Sequence, residues 1–333
     1  MWRPFARLRR AGYSAQWLRA SDPRAPAIGS QVEAFLSPRA AYGVTAEKRQ
    51  RARARLDRVH AEGRLSIYEI DDDLISEGSV DRLVTLHGKS RAEAEESADA
   101  HRWTVAQHDG VTVTTEALAE VIRRYTDKPV EVVPNAIDLE WFRGVQRRAR
   151  RKVTGLTIGW QGGNRPDQDV ALMAEAWRRV ARRYPRVRFV VQGFVPETIR
   201  RIDLGGRLLV LPWFHVDIYP AGLMNVDVGC CPLSDTGFNR CKSPIKAFEW
   251  AANGSPVVAS PLLYGDVIED GRDGYIARTV DEWDGALSRL VESRSLRQDM
   301  ARRLLRKVER RHSLEVCYEA WPRAWARIRE SVR

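Results

Sequence analysis

Short apolar runs that end in polar clusters alternate along this chain with longer amphipathic stretches, and no other feature restricts the fold as much. Before residue 143 the runs are LSIYEI ahead of Asp71, VTVTT at 111–115 and VEVV ahead of Pro134. After residue 152 they are LTIGW, VRFVVQG, RLLVLPW, VDVGCCPL and PVVAS. Helical patterns such as SRAEAEESADAHRWTVAQH, EALAEVIRRY and ALMAEAWRRVARRYP separate them. Strand and helix in strict turn is the α/β rhythm, and its repetition on both sides of a basic run predicts two doubly wound, Rossmann-like lobes in tandem. Such sheets bind ligands beyond the carboxyl ends of their strands, so the polar tails of the runs are where chemistry is expected.

The length of 333 residues suits two domains, and no apolar run approaches the roughly 18–20 residues that cross a bilayer. The net charge is +11, from 55 Lys and Arg against 44 Asp and Glu. Its distribution is uneven: residues 1–58 carry 13 basic and 4 acidic side chains, residues 59–142 carry 8 and 18, and residues 143–152 add six cations and no acid. The last run reads as a linker, which gives an N-terminal lobe over 1–142, a linker over 143–152, a C-terminal lobe over 153–312 and a final helix over 313–333. A basic balance points to an acidic partner, such as nucleic acid, an anionic membrane or a phosphorylated ligand. Four cysteines, two of them adjacent (Cys230 and Cys231), make neither a disulfide framework nor a zinc site. A reducing cytoplasm fits them. Arginines interrupt the first twenty residues where a signal peptide needs an apolar stretch, so secretion is not expected.

Two clusters carry candidate chemistry. Gly159-Trp160-Gln161-Gly162-Gly163-Asn164-Arg165 follows a strand and precedes a helix, so its glycines admit a close ligand and the helix N-terminus favours a diphosphate. Arg165 adds a charge-assisted donor. A plain tight turn explains the glycines equally well. The second cluster runs from Asp235 through Asn239, Cys241, Lys242 and Ser243 to Glu249. Ser243 followed by Pro244 has the form of an N-cap and first helical residue, which brings Lys242 and backbone donors to a helix start. Lys246 and Glu249 are three apart and share a helical face. A carboxylate there suits the vicinal diol of a ribose, with the lysines balancing phosphate charge. A surface Lys–Glu pair is the bland alternative.

Val133-Pro134-Asn135-Ala136-Ile137-Asp138 with Phe142 resembles the signature that closes the first domain of retaining, family-four-like GT-B glycosyltransferases. Residues 232–260, PLSDTGFNRCKSPIKAFEWAANGSPVVAS, are similar to the donor-site segment of that group, and Asp270-Gly271-Arg272-Asp273-Gly274-Tyr275 to a further loop of it. The resemblance runs from about residue 60 to the C-terminus. It implies a GT-B fold, two Rossmann-like lobes facing a cleft, with the nucleotide sugar on the C-terminal lobe and the acceptor on the N-terminal one. It places Glu249 on the donor ribose as the second glutamate of an E-x7-E element, and Gly162, Gly163 and Arg165 beside the diphosphate. Residues 255–260 would floor the site. Cys241 stands where the commoner pattern has the first glutamate, so Asp235, Asn239 or Lys242 is expected to support the transferred sugar instead.

Asp71-Asp72-Asp73 reads in three ways: a divalent-cation motif of the other glycosyltransferase fold, a hydrogen-bond acceptor or base toward the acceptor, or a cap of the next helix. The resembled enzymes hold the diphosphate with cations and helix ends, so no metal is expected. His101 and His108, seven apart, are structural or catalytic. Trp213 or Phe214, beside His215, either flanks the base or packs in the core. Trp2, Phe5, Leu8 and Trp17, interleaved with arginines, form a basic helix that packs in the lobe or touches anionic lipid.

The expectation is a cytoplasmic or peripherally membrane-bound enzyme that moves a sugar from a UDP- or GDP-sugar to an acceptor hydroxyl with retention, the acceptor being a glycan, lipid-linked or cell-envelope sugar. Asp71, Asp73, Lys242 and Asp235 are the catalytic candidates. Gly162, Gly163, Arg165, Asn239, Ser243, Lys246 and Glu249 are the donor-binding candidates. One alternative is transfer to hydroxymethylated bases of DNA, as in phage enzymes; another is a nucleotide-sugar-binding module without activity. A dinucleotide dehydrogenase is disfavoured, because neither lobe starts with G-x-G-x-x-G.

Overall fold

The computed structural model describes residues 10–11, 34–38, 45–151, 153–163, 167–215 and 217–332, with backbone alone for 34–38. The basic N-terminal helix and Arg165 therefore lie outside the described residues. Two compact units are formed, one from Met1–Asn135, Arg240–Ser243 and Cys317–Arg333, the other from Ala136–Asn239 and Pro244–Val316.

The first unit holds a four-stranded parallel sheet in the order β1 (Ala34–Pro38), β2 (Leu65–Ile70), β3 (Gly110–Val113) and β4 (Val130–Val132). Every residue of β2 and β3 is buried, as strands covered on both faces must be. The helices α1 (Ala46–Ala61), α2 (Glu77–His87), α3 (Arg91–Gln107) and α4 (Glu116–Arg123) start on side-chain caps from Thr45, Ser76, Ser90 and Thr115. Ser90 and Glu93 complete a capping box.

The second unit holds a six-stranded parallel sheet in the order β10-β9-β8-β5-β6-β7, built from β5 (Thr157–Gly162), β6 (Arg188–Gly193), β7 (Leu208–Leu211), β8 (Val228–Cys231), β9 (Val257–Ala259) and β10 (Tyr275–Ile276). The order reverses at β5, which pairs with β6 on one side and β8 on the other. Its carboxyl end is therefore the crevice where open α/β sheets bind ligands. Helices α5 (Leu139–Arg148), α6 (Asp167–Arg183), α7 (Ile245–Asn253), α8 (Val280–Glu292) and α9 (Arg294–Arg311) belong to this unit, whereas α10 (Ala320–Ser331) belongs to the first.

On one face of the second sheet α6 buries Val170, Met173, Ala174, Trp177, Val180 and Ala181, and Trp177 lies 5.2 Å from Phe189 of β6. On the other face α7 buries Phe248, Trp250 and Ala251 with Phe142 of α5 and Leu304 and Val308 of α9. Trp250 reaches so near β8 that a Cβ on Gly229 would collide with its indole ring, which explains glycine inside a central strand.

The basic run 143–152 is not a free tether. Its first six residues are the second half of α5, where Val145 is buried and Asp138 caps the start through Trp141 N–H. Apolar residues at 139, 142 and 145 give that helix a buried face beneath the arginines. No helix of the described residues is long and apolar enough to cross a membrane.

Candidate functional site

At the carboxyl end of β5, Gln161 is buried and its Nε2 donates to Oε2 of Glu249 at 2.6 Å. Glu249 stands on α7, and the Tyr219 hydroxyl also bonds its side chain. Burial pushes the Glu249 carboxyl above the ordinary range; the charge of Lys246 one turn earlier and the bonds from Tyr219 and Gln161 pull it part of the way back. The carboxylate thus rests on two neutral donors and one nearby cation. Neither Gln161 nor Tyr219 was singled out as a partner from the sequence, since a lone amide inside an apolar strand and a tyrosine in a loop carry no spacing signal.

Trp213, directly after β7, is 66% exposed. Its ring lies over two glycines at neighbouring strand ends: a Cβ on Gly193 would approach it to 3.0 Å, and one on Gly163 to 3.6 Å. Gly193 also has φ +101°, a conformation that side chains rarely adopt. Phe214 instead packs against the core under α7. Of the two aromatics, Trp213 is the one that presents an open face. His215 is exposed beside Asp217.

Asp169, in the first turn of α6, accepts from Ser234 N–H at 3.0 Å, from the Ser234 hydroxyl, and from Asn239 Nδ2 at 2.8 Å. Asn239 is buried, and its amide also donates to Ser234 O at 3.0 Å. Its N–H groups, expected on the donor, hold the loop 234–239 against α6 instead. Asp235 in that loop is exposed. Gly162 is buried and leaves room for the Trp160 ring, while Gly163 is partly exposed. Of the expected floor 255–260, only Ser260 reaches the carboxyl end, where its hydroxyl accepts from Leu233 N–H at 3.0 Å; Ser255 precedes β9.

The segment Arg240–Ser243 belongs to the first unit. Lys242 Nζ pairs there with Asp72 Oδ1 at 2.8 Å, both side chains largely buried. Ser243 does not cap α7, because Pro244 occupies that position and the Ser243 hydroxyl accepts from Asn135 Nδ2 at 2.8 Å. Cys241 packs with Tyr68, Ile70 and Ile75, its thiol pushed up to about 12, chiefly by burial, with Asp73 adding to the shift. A neutral buried thiol makes no sugar contact; the residue at the glutamate position is an apolar anchor, reinforced by the Thr115 hydroxyl, which donates to its carbonyl at 2.9 Å.

The three aspartates divide. Asp73 is buried and accepts from Ile75 N–H, Ser76 N–H and the Ser76 hydroxyl, shaping the turn into α2. That engagement commits Asp73 to the turn that leads to Ser76, the cap of α2, and not to the expected catalytic set. Asp72 holds Lys242, and the backbone carbonyl of Asp71 accepts from the Thr114 hydroxyl. Among the described residues no three His, Cys, Asp or Glu side chains converge as a metal site. His101 bonds the Tyr68 hydroxyl at 2.7 Å in the core, and burial pushes His108 down to about 4, so it stays neutral with Nδ1 2.7 Å from Thr104 O. Both histidines are structural.

Comparisons with known proteins bear on the fold. Residues 155–293 match the family model described as Glycosyl transferases group 1. A protein of Bacillus subtilis strain 168, described by provisional assignment as the teichuronic acid biosynthesis glycosyltransferase TuaH, is 26% identical over 171 residues, covering 47% of this chain and 42% of that protein. The chain thus spans less than half the length of this relative. A crystal structure of S. aureus TarM with fondaparinux, α-GlcNAc-glycerol and UDP is similar with a TM-score of 0.57 at 15% identity, covering 79% of this chain and 51% of that one. Anabaena HepE in complex with UDP-glucose is similar with a TM-score of 0.58 at 15% identity, covering 84% and 77%. The chain's α/β fold is thereby that of the GT-B glycosyltransferases, and its residues 155–293 are similar to the glycosyl transferases group 1 family.

Proposed function

We propose that this chain is a glycosyltransferase that moves a sugar from a nucleotide diphosphate donor, a UDP-sugar first, to an acceptor hydroxyl with retention of the anomeric configuration. The observation that carries the reading is Glu249, an enclosed carboxylate steadied by Gln161 and Tyr219 at the switch point of a parallel sheet. A vicinal diol is the neutral partner such a group lacks: two hydroxyls donate to the carboxylate and replace the water that burial removed. The ring of Trp213 offers a base a stacking face. Lys246, the backbone at Gly163 and Arg165 receive the diphosphate.

In this reading the catalytic effect is electrostatic. The bond from the anomeric carbon to the diphosphate oxygen breaks, negative charge grows on the leaving group, and fixed cations and N–H donors stabilise it more than they stabilise the bound donor. Asp235, exposed in the loop 234–239 of the same unit, is the remaining catalytic candidate there. Lys242, held by Asp72 in the first unit, is not assigned to the leaving group, and Asp71 is the candidate toward the acceptor. UDP and UDP-glucose bound by the structurally similar TarM and HepE favour uridine as the base, and the teichuronic acid biosynthesis relative favours a cell-envelope glycan as acceptor.

A thermal-shift series with UDP-glucose, UDP-GlcNAc, GDP-mannose and the free nucleotides tests donor binding, since a native-state ligand raises the melting temperature by mass action. One nucleotide sugar should stabilise the chain and release free nucleotide when a glycan acceptor is added. Stabilisation by none of them would sink the reading. Binding without turnover would leave a nucleotide-sugar-binding module.

A further inference from the structure

A second polar site lies at the opposite end of the same sheet. A cavity of about 370 Å³ opens at the amino ends of β5, β8 and β9, lined among others by Arg151, Asp227, Asn253, Ser255, Arg294 and Arg297. All of these belong to the second unit.

Of the neutral side chains of its wall, Gln146, Asn253 and Ser255 bond one another, while exposed Gln298 lies beside them. Gln146 Nε2 donates to Asn253 Oδ1 at 2.6 Å, Asn253 Nδ2 donates to Val226 O at 3.1 Å and to Ser255 Oγ at 2.8 Å, and the Ser255 hydroxyl donates to Val226 O at 2.8 Å. Arg151 is neutralised by both oxygens of Asp227, at 2.7 and 2.6 Å. The other two arginines differ. Arg294 and Arg297 stand one turn apart at the start of α9, and among the described residues neither has a carboxylate within ion-pair distance. One Arg297 nitrogen donates to the carbonyls of Leu290 and Val291, which leaves the rest of its donor fork unused. Burial lowers the affinity of Arg297 for its proton, Asp227 restores part of it, and Arg294 lowers it again, so the two guanidinium groups repel each other.

Among the described lining residues, three cations against one carboxylate leave two positive charges uncompensated. The start of an 18-residue helix adds the same sign. A dianion is the complement, and a guanidinium fork matches phosphate oxygens. The volume lies in the range of small-molecule sites and exceeds a bare phosphate, while the polar wall suits hydroxyl groups. We infer that this cavity binds the phosphate group of a small, hydroxyl-rich phosphomonoester through Arg294 and Arg297, at a site separate from the donor site.

The test titrates the full chain with glucose 6-phosphate, inorganic phosphate and, as a neutral comparator, glucose, and reads the melting temperature. Glucose 6-phosphate should raise it in the wild type and in Lys246→Ala, at the other end of the sheet. Arg294→Glu and Arg297→Gln should each weaken that response by about tenfold or more. Glutamate is tolerated in a first helical turn, so Arg294→Glu should itself melt cooperatively, and Arg297→Gln is an independent check. Stabilisation by inorganic phosphate equal to that by the ester would keep the site and make the free ion its occupant. Two results would overturn the proposal: no shift with either phosphate up to about ten millimolar, or a shift that Lys246→Ala abolishes and Arg294→Glu keeps, which would return the phosphate to the donor end. Because the donor reading is tested with nucleotides, its failure leaves this result readable.

Discussion

Asp227 and Glu249 are carboxylates of the same unit at opposite ends of one sheet, and their surroundings differ in kind. Asp227 meets the Arg151 guanidinium with both oxygens and accepts from Thr157 N–H at 2.8 Å and the Thr157 hydroxyl at 2.9 Å. Burial works against its charge, but Arg151 and Thr157 outweigh it and hold the carboxyl below its ordinary value. Glu249 has neutral donors and a lysine one turn away, and its carboxyl is held above the ordinary value. The first charge is answered within the protein; the second is under-solvated until something arrives. The opposite pKa directions of these two partly buried acids thus mark Asp227 as a latch within the protein and Glu249 as the candidate binding group.

The largest expected effect breaks the latch. Asp227→Ala strands Arg151 and the Thr157 donors and should cost about 2–3 kcal/mol in urea unfolding, while the folded fraction still binds donor. Loss of donor binding in folded Asp227→Ala would erase the distinction. Glu249→Gln should do the reverse, weakening donor binding about 10- to 100-fold, in line with about 1.5–3 kcal/mol for bonds to a charged group, with stability unchanged or higher at neutral pH. A calorimetric titration with the stabilising nucleotide sugar checks it.

The pH dependence sharpens the contrast. The raised Glu249 carboxyl contributes stability that is present below 4.5 and lost as pH rises through its folded value; the depressed Asp227 carboxyl contributes stability that is present above 3.8 and lost as pH falls through its folded value. Glu249→Gln should therefore remove a loss on the rising side, and Asp227→Asn a loss on the acid side. On the proposed reading donor affinity depends on the Glu249 carboxylate, so it should fall as pH drops toward 4.5 and be flat there in Glu249→Gln. The smallest effect belongs to Trp213→Ala. Loss of one exposed stacking face should cost about 0.5–1.5 kcal/mol of nucleotide binding, with no change in the melting temperature of the unliganded chain.

Most of the sheets could be read from the sequence, because strands buried on both faces leave uninterrupted apolar runs: LSIYEI, LTIGW, VRFVVQG and PVVAS all contain strands. The two-residue β10 left no such trace, and the arginines of 143–148 masked a helix whose buried face is only three residues wide. At the site, the spacing of Lys246 and Glu249 was legible because a helix turns it into adjacency. Asp169, Gln161 and Tyr219 were not, since each acts through a partner more than 25 residues away in the chain. Cys241 shows a further limit: a departure from a family pattern marks the position without saying that burial has replaced contact.

The return of Arg240–Ser243 to the first unit means that the backbone changes units four times, after residues 135, 239, 243 and 316. Neither unit is a contiguous segment that can be excised or exchanged whole. A fragment limited to the family span 155–293 would keep Cys241 and Lys242 but remove Tyr68, Ile70 and Asp72, exposing an apolar anchor and stranding a cation. Recombining halves with a relative at a single junction would meet the same obstacle, so such chimaeras need the four-residue segment to travel with the N-terminal half.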